Sequence, residues 1–549
     1  MKKLLVLLLL ISFFFTRAQT KADSIATIQN WAKWYDLDFT NAEADSMMNN
    51  LVNFRQSYAK MHQRLPKNDL AFPMAFKPAP VGFKIPMSQQ KISWQIPANV
   101  SLPKDKNDLA FYSILQLASL IKNKKISSME LTQFFIDRLK KWGDTLESVI
   151  TLTEELAMKE AKQADDELKK GIYRGPLHGI PYGLKDLFAV RQYKTTWGST
   201  PYKDQVVDED AFVYTQLKNA GAVLCAKLSL GALAYNNKWF GGETKNPWNL
   251  KQGSSGSSAG SAASVVAGLL PFTIGTETLG SIVSPSTRCG ATGLRPTFGT
   301  VSRSGAMVLC WTLDKAGPIC RSAEDDAVVY YYMKGTDGKD ASAVDHAFNY
   351  NQKADVKKMR VAFAQNYFNK LAKDAPEWKV LDEFKSMGVT PQPVTFPDST
   401  IVQFNLIGII LNAESAAAFD ELTRTNRDDL IERQDKDFWP NSFRSARMIP
   451  AVEYINAIRY RSELCQQIND FMKNYDVVIV PTFAGSQLAV TNLTGHPVVC
   501  MPMGFNQRGL PLSITLIGNL YDEASILEAA KAYQDHTDHH KKHPEKFLQ

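Results

Sequence analysis

Two serines stand 24 positions apart on glycine-dense backbone that carries almost no charge: Ser257 in Gly256-Ser257-Ser258-Ala259-Gly260, and Ser281 in Thr278-Leu279-Gly280-Ser281-Ile282. A third group with chemical capacity is Lys185, held in Gly179-Ile180-Pro181-Tyr182-Gly183-Leu184-Lys185-Asp186 between apolar residues and a carboxylate. A serine hydroxyl is a weak nucleophile until an adjacent base takes its proton. Lysine at its ordinary pKa of about 10.4 is protonated and cannot do so. Burial among Leu184, Leu187 and glycine-lined backbone disfavours the ammonium and lowers that pKa. Neutral Lys185 would then accept a proton through the Ser257 hydroxyl, which takes it from Ser281; the reverse relay would protonate a leaving amine. Glycine lets backbone approach closely, so the N–H groups of Thr278, Leu279 and Gly280 are expected to hold a tetrahedral oxyanion. Acyl transfer from an amide is the chemistry these residue types suit, and the same route accepts esters. Asp186 could orient the lysine, but a structural role fits its position better.

Positioning three such groups requires strands and helices in alternation. Gly179 to Lys185 reads as turn into strand, Ala222 to Ala226 as a short buried strand, and Ala262 to Gly268 as a helix of small residues. Leu269 to Ile274 reads as a strand leading into the second glycine-rich segment, and Asp476 to Thr482 and Leu512 to Ile517 as two more. Ser127-Ser128-Met129-Glu130 is a capping box ahead of Leu131, Phe134 and Phe135, so a helix starts there. The alternation predicts an α/β fold with a central sheet flanked by helices. Upstream, Ser24 to Met61 has a helical period, with Ile25, Ile28, Trp31 and Trp34 recurring on one face, and Leu65 to Pro103 is extended and punctuated by proline. Residues 19–107 are therefore expected to be a helical extension and linker packed onto a main domain over 108–535. Within that domain, 341–451 reads as an insertion shaping the substrate pocket, and 536–549 as a charged tail.

Taken together, the motifs resemble those of the amidase signature family over residues 108–535. Lys185, Ser257 and Ser281 fall at the places of that family's catalytic lysine, bridging cis-serine and nucleophile. Asn246-Pro247-Trp248-Asn249, the run from Gly293 to Arg303, Leu313-Asp314-Lys315-Ala316-Gly317-Pro318 and Gly509-Leu510-Pro511 extend the agreement. The resemblance implies the family's mixed sheet and a metal-free, cofactor-free hydrolysis of linear amides. Three departures matter. The usual Gly-Gly-Ser-Ser-Gly-Gly is here Ser255-Gly256-Ser257-Ser258-Ala259-Gly260, which keeps the bridging serine. Leu279 replaces a frequent glycine and is expected to narrow the acyl pocket. Val283 stands where some members carry an arginine for acidic substrates. Gly275-Thr276-Glu277-Thr278-Leu279-Gly280-Ser281-Ile282-Val283 is closer to peptide amidases and related bacterial amidases, which implies neutral or hydrophobic amides.

Composition narrows the field further. The chain has 549 residues, 44% hydrophobic and 22% charged, as a globular protein does. A formal charge of +7, spread along the sequence with no basic stripe, gives no reason to expect nucleic acid. Lys2 and Lys3, the apolar run Leu4 to Phe15 and the exit Thr16-Arg17-Ala18 read as a secretory signal peptide, cleaved near Ala18, with export to the periplasm or medium expected. That run is too short for stable membrane insertion, since a spanning helix needs about 20 apolar residues. Six widely spaced cysteines read as buried thiols, with Cys310 and Cys320 the nearest pair. Gly256 to Gly260 also matches a nucleophile elbow, but the polar, proline-broken segment before it and the lack of a placed histidine, His496 aside, argue against that fold. His536, His539, His540 and His543 form a charged, terminal group expected to be solvated rather than metal-binding. The resulting expectation is an exported amidase taking a small-molecule or peptide amide. Its alternatives are the glutaminase subunit of a tRNA-dependent amidotransferase, which needs ATP and a second chain, and a non-catalytic binding protein on the same fold. No oligomeric state follows from the sequence.

Overall fold

The computed structural model describes residues 21–63, 66–68, 70, 74–398 and 404–549; the expected signal peptide, 1–18, lies outside them. The chain divides into two compact units at Lys67/Asn68, ahead of most of the proline-punctuated stretch rather than after it. In the first unit the helical period from Ser24 to Met61 resolves into two helices, Lys21–Lys33 and Asn41–Met61. Thr40 starts the second, its hydroxyl accepting from the Glu43 N–H while the Glu43 carboxylate accepts from the Thr40 N–H. Trp31 and Trp34 are both exposed.

The second unit is built on one mixed sheet of eleven strands. In chain order these are β1 (Val149–Leu152), β2 (Pro181–Lys185), β3 (Val223–Leu228), β4 (Phe272–Glu277), β5 (Thr292–Arg295), β6 (Lys315–Cys320), β7 (Val361–Ala364), β8 (Gln392–Val394), β9 (Val477–Pro481), β10 (Val498–Phe505) and β11 (Pro511–Gly518). Across the sheet the order is β1-β3-β2-β4-β6-β5-β10-β11-β9-β7-β8. Strands β3, β2 and β4 run parallel, and every residue of β2 and β3 is buried. Helices on both faces require this, because a parallel strand covered twice shows a continuous apolar run rather than alternation. The run of small residues after Ser258 does form a helix, Ala259–Val266, all of it buried. The helix predicted at Ser127 runs Ser128–Leu146 with both capping-box hydrogen bonds made, a device that stabilises a helix start by about 1 kcal/mol.

Three features depart from the expectations or fill them in. The 341–451 block supplies β7 and β8, so it extends the main sheet as well as adding helices. The charged tail is docked: Phe547 is fully buried, meets Trp142 edge-on, and its carbonyl accepts from Arg138 Nη2 at 2.7 Å. All six thiols are buried and free of disulfides, Cys310 and Cys320 included. Among the described residues no helix is long and apolar enough to cross a membrane.

Candidate active site

Strand β2 ends on Lys185, and its side chain is fully buried. The amine Nζ lies 2.9 Å from Ser257 Oγ, 3.1 Å from Ser258 Oγ, and 2.8 Å from Thr276 Oγ1, with the Thr276 carbonyl at 3.3 Å. Each of these partners is a hydroxyl or a carbonyl, so none supplies the negative charge an ammonium would need in a dry site. Burial dominates the outcome and pulls the amine's pKa down to about 7, while the charges of Asp314 and Glu277 work the other way. At neutral pH a substantial fraction is therefore a free amine.

The loop that brings Ser257 to this amine is tightly constrained. The Gly256–Ser257 peptide is cis, and a Cβ on Gly256 would collide with the carbonyl of Asn236, so only glycine fits. Ser281 arrives from the end of β4, and its carbonyl accepts the N–H of Ser258 at 3.1 Å, which ties the two glycine-rich segments together. Exposure rises outward through the cluster: Lys185 0%, Ser257 1%, Ser281 8%. Of the three, Ser281 is the most exposed.

Between them, Glu277 fixes the turn. Its Oε2 accepts the N–H groups of Ile282 at 2.9 Å and Val283 at 3.0 Å; its Oε1 accepts from Arg295 Nη1 and Asn492 Nδ2, both at 2.8 Å. Burial alone would raise the Glu277 pKa, but Arg295 and Lys315 override it and hold the carboxyl at about 2. Gly280 adopts φ +79°, a left-handed conformation that suits glycine. Among the described residues the N–H groups of Leu279, Gly280 and Ser281 donate to no protein acceptor. The Thr278 hydroxyl instead donates to Asp314 Oδ1 at 2.6 Å.

Next to this cluster lies a cavity of about 230 Å³. Thr276 and Thr278 form its inner wall, and Leu187, Phe188, Met307 and Leu309 line it with apolar surface. Thr276 also touches the Lys185 amine, so one residue separates the cavity from it.

A family model described as Amidase matches residues 130–527, about three quarters of the chain. This chain belongs to the amidase family. It is 32% identical over 479 residues to the A-subunit of glutamyl-tRNA(Gln) amidotransferase from Coxiella burnetii (strain Dugway 5J108-111), covering 79% of this chain and 99% of that one. The protein of the same name in Acinetobacter baumannii is 33% identical over 484 residues, with 79% and 98% covered. Among solved structures, native peptide amidase from Stenotrophomonas maltophilia superposes with a TM-score of 0.69 at 27% identity, covering 79% of this chain and 98% of that one. The amidase signature resemblance read from the motifs, the mixed-sheet fold it implied and the amide-hydrolysing enzyme class all hold.

Within this amidase, strand geometry explains Asp186. Successive side chains leave a strand on opposite faces, and Lys227 is in register with Leu184, one residue before Lys185. Asp186 therefore shares a face with Lys227 and pairs with it at 2.6 Å, both side chains fully buried. It does not orient Lys185. Leu279, expected to narrow the acyl pocket, is 37% exposed and lines none of the cavity. Val283 sits in an apolar cluster with Cys310 and Leu313. His496 is buried, its ring bonded to Thr494 and its carbonyl to Arg295. Among the described residues no group of His, Cys, Asp and Glu is arranged to hold a metal.

Sequence reasoning missed Thr276, Ser258 and Glu277 as participants. A threonine in a strand looks like an ordinary β-former. A glutamate in an otherwise uncharged run between Gly275 and Gly280 was the available signal for Glu277, since such a charge, once buried, must be paired.

Proposed function

We propose that this amidase cleaves amides through an acyl-enzyme on Ser281, with Ser257 as proton bridge and Lys185 as base. Ser281 Oγ attacks the carbonyl carbon as its proton moves to Ser257 Oγ and the Ser257 proton moves to Lys185 Nζ. The tetrahedral oxyanion is held by N–H groups of the Thr278–Gly280 turn and of Ser281. Losing one such donor typically costs about 100- to 1,000-fold in rate. Collapse breaks the C–N bond, and the relay returns the proton to the departing ammonia or amine. Water then repeats the sequence on the acyl ester and releases the acid. The observation that carries this reading is the buried Lys185 amine, 2.9 Å from Ser257 Oγ and lacking a carboxylate in contact, its pKa near 7. A base needs a pKa near the working pH, and this one has it.

For the substrate, two readings have support. Burial of Val283, and the lack of an arginine at that position, favour neutral amides, peptide amides included. The relatives favour the other: identity to the amidotransferase A-subunits reaches 32–33% over nearly their whole length, against 27% to the peptide amidase. On that reading the amide is a glutamine side chain and the chain works beside other subunits. The N-terminal pattern of Lys2 to Ala18 supports an exported, free-standing enzyme instead, and a mature N-terminus beginning after Ala18 is its mark. Ammonia and amine release from aliphatic amides, aryl amides, C-terminal peptide amides and glutamine, by wild type and Ser281→Ala, separates the readings. Turnover of glutamine alone selects the amidotransferase reading, and turnover of peptide or aliphatic amides selects the free-standing one. A folded wild type inert on all of them contradicts the free-standing reading; on the amidotransferase reading, glutamine turnover calls for the second chain and ATP as well.

A further inference from the structure

The charges lining the cavity beside the active site are nearly all spent on one another. Arg303 forks onto Asp340, with Nε and Nη2 at 2.7 and 2.8 Å, and its Nη1 is taken by the carbonyls of Trp311 and Asp314. Asp314 accepts from the Thr278 hydroxyl at 2.6 Å and from the N–H groups of Leu309 and Cys310 at 2.8 and 2.9 Å. Lys315 is buried against the carbonyls of Leu313 and Thr278. Two charges remain without an ion pair or side-chain hydrogen bond among the described residues: Glu209, half-buried in the cavity wall, and Lys339, exposed.

The backbone just after Glu209 is held by its surroundings. Asp210 accepts the Arg191 N–H at 2.8 Å, the Ala211 N–H donates to Ala189 at 2.9 Å, and the Phe212 N–H donates to Ser304 at 3.0 Å. Both anchoring segments touch the cavity, through Phe188 on one side and Ser304 to Ala306 on the other. Arg191, the basic side chain of that neighbourhood, is taken by Asp208 at 3.0 Å. The result is a glutamate in the cavity wall, on a turn whose following residues are held by hydrogen bonds, lacking a cation of its own among the described residues. A partly desolvated carboxylate in a cleft draws a cation more strongly than one in open water.

We propose that Glu209 is a specificity residue of this site, selecting amides that carry a cationic group, such as a primary ammonium, away from the scissile bond. This rests on the amide-hydrolase reading above and departs from its neutral-amide branch in giving the substrate a positive charge. The remaining cavity surface, apolar at Leu187, Phe188, Met307 and Leu309, takes the methylene or apolar portion between amide and charge.

The test compares three primary amides of equal chain length ending in ammonium, methyl or carboxylate, on wild type, Glu209→Gln and Glu209→Lys. The expected wild-type result is kcat/KM about tenfold higher for the ammonium amide than for the methyl one, a preference that shrinks as salt rises. Glu209→Gln should bring the ammonium and methyl amides to equal kcat/KM, and Glu209→Lys should transfer the preference to the carboxylate. Equal rates on the three amides, a wild-type preference for the carboxylate (which would point to Lys339), or an ammonium preference that survives in Glu209→Gln would overturn the proposal. Should wild type hydrolyse none of the three, the hydrolase reading is decided separately by the broader amide panel above. Equilibrium binding of the same amides to Ser281→Ala, with and without Glu209→Gln, then reads the charge preference on its own, and equal affinities there overturn it.

Discussion

Lys185 and Lys227 stand on neighbouring strands, one register step apart, and both side chains are fully buried. They leave the sheet on opposite faces and meet different company. On one face Lys227 pairs with Asp186 at 2.6 Å and donates to the Lys194 carbonyl and the Thr195 hydroxyl. On the other, Lys185 meets three hydroxyls and a carbonyl. Burial pulls both pKa values down; at Lys227 the adjacent Asp186 charge opposes it directly, whereas at Lys185 only the more distant Asp314 and Glu277 do. Burial is common to both, and the two sites differ in the counter-ion: Asp186 contacts the Lys227 amine, while no carboxylate among the described residues contacts Lys185, which is what the proposed base requires.

The comparison breaks most visibly on substitution. Lys185→Met should lower kcat/KM by about 10³-fold or more, in the upper range for removal of a general base, with the circular dichroism of a folded protein. Lys227→Met should do the converse: it leaves Asp186 buried and unpaired, costing about 3–5 kcal/mol, read as a lower urea midpoint at unchanged slope. The double variant Lys227→Met/Asp186→Leu should recover most of that loss, because no buried charge remains.

Lys185 should also leave a mark on the pH dependence of stability. An ordinary lysine in the unfolded chain titrates near 10.5 and this one near 7. Between those values the unfolded state binds the extra proton, so stability rises with pH across the window, by up to about 1.4 kcal/mol per pH unit. Below pH 7 the amine is protonated in both states and the slope disappears. Urea unfolding of wild type and Lys185→Met at pH 7 to 9 should show a slope in wild type that the variant lacks; equal slopes would place the amine's pKa near its ordinary value.

The smallest expected effect belongs to Thr276→Val. It removes one of the hydroxyls around the amine, and a single hydrogen bond of this kind is worth about 1 kcal/mol. The rate should fall by no more than about tenfold, with a shifted pH midpoint, measured as a pH profile of kcat/KM.

Much of this contrast is legible in the sequence. Lys185, Ser257 and Ser281 declare themselves because glycine-rich, uncharged segments around reactive side chains have few packing explanations. Period-2 alternation, applied to Leu184-Lys185-Asp186, also predicts that Asp186 faces away from the lysine. The partner itself is hidden, because Lys227 lies 41 positions from Asp186 and comes into register only through β2–β3 pairing. Glu277 is hidden for a related reason: its four donors come from Ile282, Val283, Arg295 and Asn492, and only the fold assembles them. Strands β7 and β8 escape notice inside the 341–451 block because they are short, four and three residues, and embedded in helical pattern. Phe547 is overlooked because the charges around it dominate the local composition; a lone aromatic among them was the signal.

Whether a neutral Lys185 drives Ser281 is read without knowledge of the substrate by the rate at which a fluorophosphonate labels the protein between pH 5 and 9, with the adduct mapped by mass spectrometry. One adduct is expected, on Ser281, forming at a rate that rises tenfold per pH unit below about 7 and levels off above it, and labelling should be nearly abolished in Lys185→Met. An adduct on any other serine, or a Ser281 rate indifferent to pH and to Lys185, would contradict it.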